Sequence, residues 1–69
     1  MPHENKYRKT REGYLIELEE RLNADQLPKE YQRLSIASLH ELAEIARIYG
    51  IDKFNEYAIY ALGLPKVGK

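Results

Sequence analysis

The chain has 69 residues and a mass of 8.1 kDa, with 43% hydrophobic and 32% charged residues, and its 11 Lys+Arg balance its 11 Asp+Glu. That length allows one domain, and one that buries only about 60% of its unfolded surface, so a partner would add much to its stability. With no cysteine there is no disulfide framework, thiolate metal site or thiol nucleophile. No stretch approaches the roughly 18 apolar residues of a membrane span. The start, Met1-Pro2-His3-Glu4-Asn5-Lys6, lacks the apolar run of a signal peptide, so the chain reads as cytosolic.

The zero net charge hides an asymmetry. Residues 1–13 carry +2, from Lys6, Arg8, Lys9 and Arg11 against Glu4 and Glu12, whereas residues 14–30 carry −3. Residues 1–9 are polar and without periodicity, which predicts a flexible basic arm ahead of an acidic first helix. Such an arm either complements that helix or reaches for phosphates or an acidic partner.

Thr10 is the expected N-cap of a first helix over about 11–23. Tyr14, Leu15, Leu18 and Leu22 fall on one stripe about 100° wide, with Ile16 and the acids Glu17, Glu19 and Glu20 off it. Gly13 weakens the first turn and argues for a later start. Asn23-Ala24-Asp25-Gln26 breaks the pattern, and Pro28 suits the first position of a second helix, about 28–37, with Tyr31 and Leu34 as its apolar side. Ser38-Leu39-His40-Glu41 has capping-box form and predicts a restart there, the alternative being one uninterrupted helix over 28–49.

A third helix, about 39–49, should stop at Gly50 in the left-handed conformation, with Ile51 as its hydrophobic cover. Asp52 caps a fourth, about 53–62, stopped by Gly63, Leu64 and Pro65. The predicted fold class is therefore all-α. It is a compact bundle of three or four short helices, with residues 1–9 as arm, 10–64 as the domain and 65–69 as a loose tail.

The apolar residues of the third and fourth helices spread over arcs of about 220° and 200°, whereas one packed neighbour needs nearer 100°. Either the third helix is central, or one side meets another chain. The second alternative makes Ile16, Ile45, Ile48, Ile59 and Tyr60 an interface, and six tyrosines without a tryptophan suit it, because tyrosine is at home half in water.

Catalytic chemistry finds no support. His40 and Glu44 share a helix face without a third ligand, Ser38 and His40 point about 200° apart on a helix, and Gly13, Gly50, Gly63 and Gly68 form no phosphate loop. No catalytic residue, metal site, cofactor, small-molecule substrate or membrane partner is expected.

Ala46 and Gly50 four residues apart, with Ile45, Tyr49, Ile51 and Ile59 around them, resemble a helix-turn-helix over about residues 42–62. The resemblance implies DNA binding, with Lys53 and Asn55 toward the groove and Lys6, Arg8, Lys9 and Arg11 as a phosphate-binding arm. It departs from the family at Glu56, where an apolar residue is usual, and in having a single cation on the reading helix. The primary expectation is thus a small non-enzymatic regulator or adaptor that docks on a protein, or on itself as a homodimer. DNA binding is the alternative.

Overall fold

The computed structural model describes residues 7–68, so the expectations placed on residues 1–6, Lys6 among them, lie outside the described residues. Its elements are α1 (Arg11–Arg21), α2 (Lys29–Gln32) and α3 (Ile36–Leu62). All three are helical, as the periodicity requires.

Thr10 caps α1, its Oγ1 accepting from the Gly13 N–H at 3.2 Å. Gly13 therefore does not delay the start: its amide holds the cap in place. At the other end Asn23 takes a left-handed conformation (φ 57°). The Asn23 N–H donates to Glu20 O and the Ala24 N–H to Glu19 O, the paired closure that satisfies the last carbonyls. Of the expected stripe, Tyr14, Leu18 and Leu22 are buried and Leu15 packs at the margin of the core.

The second helix is far shorter than expected, a single turn, and the restart comes at Ser35 rather than Ser38. Ser35 Oγ accepts from the Ser38 N–H at 3.1 Å, so α3 begins at Ile36. Neither a helix over 28–37 nor one over 28–49 forms. The reason is tertiary: Arg11, in the first turn of α1, donates from Nη1 to Gln32 O at 3.1 Å and also to Leu34 O. Those carbonyls are satisfied without a continuing helix. Tyr31 anchors the turn, fully buried and stacked on Phe54 at 6.1 Å between ring centroids.

Helix α3 is broken once. Gly50 alone has non-helical torsions (φ 91°, ψ 178°), with helix over 36–49 before it and 51–62 after it. The expected left-handed stop is thus replaced by an extended conformation open essentially to glycine only. The three-residue turn foreseen at Gly50-Ile51-Asp52 contracts to one residue. Gly63 does stop the helix left-handed (φ 68°), its N–H donating to Ile59 O at 3.2 Å, and Leu64 follows it into the core.

Of the tail expected to be loose, residues 65–68 are described, and they are docked. Tyr31 Oη donates to Pro65 O at 2.6 Å. Asn55 exchanges two hydrogen bonds of 2.8 Å with the main chain of Val67, which is itself buried. At Gly68 a Cβ would lie 2.4 Å from Leu22 O, so this last described residue lies hard against the end of α1. The core is then one cluster drawn from every element, with Leu18, Leu22, Tyr31, Leu39, Leu42 and Phe54 as its largest fully buried side chains. No helix of the described residues is long and apolar enough to cross a membrane.

Candidate docking groove and cationic pocket

The wide apolar arcs on both halves of α3 are only partly covered. Leu39, Leu42, Ala43 and Ala46 before the break, and Phe54 and Ala58 after it, face the core. Ile48 is 61% exposed, Tyr49 65% and Tyr60 82%, and Ile59 and Leu62 are exposed as well. Tyr49 and Tyr60, on opposite sides of Gly50, flank an open groove of about 400 Å3 lined by Ile45, Tyr49, Lys53, Glu56, Tyr57, Tyr60 and Ala61.

That groove exists because of the break. On an unbroken helix Tyr49, Tyr57 and Tyr60 would run along one rod, whereas the extended torsions at Gly50 turn the second half of α3 relative to the first. A polar link spans the elbow: Tyr57 Oη donates to Glu41 Oε2 at 3.1 Å. The bond to Glu41 raises the Tyr57 pKa, with burial adding in the same direction. Lys53 and Glu56 lie on the groove's rim and pair at 3.4 Å.

Of the five residues expected at an interface, the structure brings Ile45 and Tyr60 together in this groove. Ile48 and Ile59 stay exposed but point elsewhere. Ile48 is nine residues from buried Leu39, half a turn away at about 100° per residue, on the side that carries Glu41 and Glu44. Ile16 is exposed on α1 among Lys9, Gly13, Glu17, Glu20 and Arg21. Tyr49, named above only for the helix-turn-helix resemblance, and Tyr57 complete the groove and are not among the residues expected at an interface. The signal available was the spacing of three of the six tyrosines within α3.

The residues expected to meet DNA are dispersed. Asn55 is 7% exposed and its amide is committed to Val67, so it is a tie for the tail and not a base reader. Arg11 is spent on the carbonyls of Gln32 and Leu34. Lys53 lies on the groove's rim, and Arg8 and Lys9 remain at the surface on the other side of α3's first half.

Arg8 and Lys9 line a second, more enclosed pocket of about 310 Å3 together with Tyr14, Glu17, Arg21, His40, Ala43, Glu44 and Arg47. Glu17 binds Arg21 at 2.7 Å and Lys9 at 3.1 Å. Burial would raise its pKa, but the hydrogen bonds and charges of Arg21 and Lys9 outweigh that and leave it lowered. Glu44 binds Arg47 at 2.9 Å and lies 3.5 Å from His40 Nε2. Tyr14 Oη sits 2.8 Å from His40 Nδ1, and the Tyr7 ring tilts over the imidazole at 5.1 Å. A neutral His40 with its proton on Nε2 satisfies both contacts, accepting from Tyr14 and donating toward Glu44. Among the described residues no group of three His, Cys, Asp or Glu side chains is placed to hold a metal ion.

Comparison with protein-family models, with curated proteins and with solved structures finds no match. The functional reading therefore stands on these two surface features.

Proposed function

We propose that this chain is a small non-enzymatic docking protein, a regulator or adaptor, and that the elbow groove of α3 is its docking surface. The observation that carries the reading is the exposure of Tyr49 and Tyr60 on either side of an apolar groove. Tyrosine is enriched at protein interfaces and among the few residues there that carry most of the binding energy. The occupant proposed is a second copy of the chain. A two-fold interface puts the same patch on both partners, so each must fit itself. The rim meets this condition in charge, because Lys53 and Glu56 lie side by side and a two-fold axis would set each opposite its counterpart. In such a pair the exposed Tyr60 ring of one copy is the group proposed to enter the trough of the other.

The test is the mass of the protein by light scattering over a wide concentration range. Dimer that reverts to monomer on Tyr60→Ser, with helicity and melting unchanged, supports the reading. Ile48→Asp, outside the groove, should leave the dimer intact. A monomer at every concentration up to high micromolar removes self-association, and a dimer indifferent to Tyr60→Ser removes the groove.

A second reading, a helix-turn-helix-like DNA-binding regulator, draws its support from Arg8 and Lys9, which lie together at one surface pocket. It has less to stand on, because Asn55 is turned inward and Arg11 is engaged within the fold. Retention on heparin at low salt that is lost on Arg8→Gln would favour it.

A further inference from the structure

The pocket between the N-terminal segment, α1 and the first half of α3 draws together Arg8, Lys9, Arg21 and Arg47 around Glu17 and Glu44. Among the described lining residues, four cations against two carboxylates leave an excess of two positive charges, in a chain whose net charge is zero. We propose that this pocket binds a phosphate group, its oxygens held by Arg8 and Arg47 with Lys9 and Arg21 behind them.

The geometry supports an oxyanion in three ways. First, the two carboxylates are already satisfied: Glu17 by Lys9 and Arg21, Glu44 by Arg47 and His40. The positive excess is therefore more than their neutralisation requires, and Arg8 has no hydrogen bond or ion pair to another described residue. Second, three of the four cations are arginines, whose planar fork presents paired donors to tetrahedral oxyanions, and Arg21 and Arg47 each keep further N–H groups beyond the one bonded to a glutamate. Third, the pocket is bordered by a linked set of side chains: buried Tyr14 is hydrogen-bonded to His40, His40 meets Glu44, and Glu44 holds Arg47. The volume of about 310 Å3 is larger than a bare phosphate, so the group can be the end of a small phosphate ester or one unit of a nucleic-acid backbone.

The two sources are separated by titrating the 15N-labelled protein at fixed ionic strength, once with inorganic phosphate and once with a short DNA duplex. Saturable shifts at Arg8, Lys9, His40 and Arg47 with phosphate, weakened about tenfold or more in Arg8→Gln/Arg47→Gln, bear the proposal out. Lys66→Gln, an exposed cation outside the pocket, should leave them unchanged. Shifts of the same residues with phosphate alone assign a small ester; shifts with both assign a backbone phosphate. No saturable shift in either titration, or shifts that survive the double substitution in a protein still folded by circular dichroism, overturn the proposal.

Discussion

Asn55 and Val67 hold each other as two strand residues would: the Val67 N–H donates to Asn55 Oδ1 and Asn55 Nδ2 donates to Val67 O, both at 2.8 Å. A side-chain amide has the same donor and acceptor as a peptide group, so one buried asparagine satisfies a whole residue of returning chain. Replacing it by alanine leaves both Val67 groups buried without partners, at about 1–3 kcal/mol for an unsatisfied group. Asn55→Ala should therefore lower the melting temperature clearly. Asn55→Asp should do so more, because its carboxylate faces Val67 O with no hydrogen to give. Thermal melts of the two variants beside the parent check both statements.

Gly50 should resist every L-residue. Its φ of 91° lies where a Cβ strains the backbone, although beyond its own stretch of chain nothing lies within 4 Å of the position that the Cβ would take. The strain alone is worth about 1–3 kcal/mol. Gly50→Ala should lose about that much stability by urea denaturation, or else close the break and erase the groove. In the second outcome the Tyr57–Glu41 link is lost, and Tyr57→Phe should then have no further effect on stability.

Tyr31 makes stability fall in alkali. Burial, helped by the charge of Glu30, pushes its pKa up to about 12, and its hydroxyl donates to Pro65 O. A tyrosine that ionises near 10 when unfolded favours the unfolded chain as soon as pH passes that value. Its contribution is complete below about pH 10 and is lost as pH rises from about 10 to about 12. Tyr31→Phe should be less stable at pH 7, by about 1 kcal/mol or more for the lost bond. It should also lose this alkaline slope, as denaturant midpoints across pH 8–12 would show.

Glu17 acts at the other end of the scale. Its pKa is lowered in the folded chain by Arg21 and Lys9 in spite of burial. Its contribution is present above the ordinary glutamate range and is lost as pH falls through the lowered folded value. Glu17→Gln should flatten the acid limb of a stability–pH curve and leave the alkaline limb as it was.

Local signals were legible in the sequence. Thr10, the stripe Tyr14–Leu18–Leu22 and the stop at Gly63 are each decided by residues within one or two helical turns, and each stands where the pattern put it. What failed depends on partners far along the chain. The end of α2 is set by Arg11, more than twenty residues before it. Asn55 looked like a polar reader on an exposed helix face because nothing near it in sequence says that Val67 returns to meet it. The groove was half legible. Exposed apolar surface on α3 follows from its arcs, but which of those residues share a trough depends on how far the torsions at Gly50 rotate one half against the other, and no periodicity crosses such a break. The cationic pocket was least visible, since Arg21 and Arg47 meet Arg8 and Lys9 only through the packing of α1 on α3.

The torsions at Gly50 have a mirror image, φ −91° and ψ −178°, that is ordinary extended backbone for an L-amino acid. Position 50 is therefore, in its backbone, a site of opposite chirality written into an L-chain with the one achiral residue. A chain of 69 residues is short enough to assemble by chemical ligation. D-alanine placed there would find torsions natural to its own handedness while restricting the unfolded ensemble, so the enantiomer that ribosomes exclude is the one this elbow is shaped to accept.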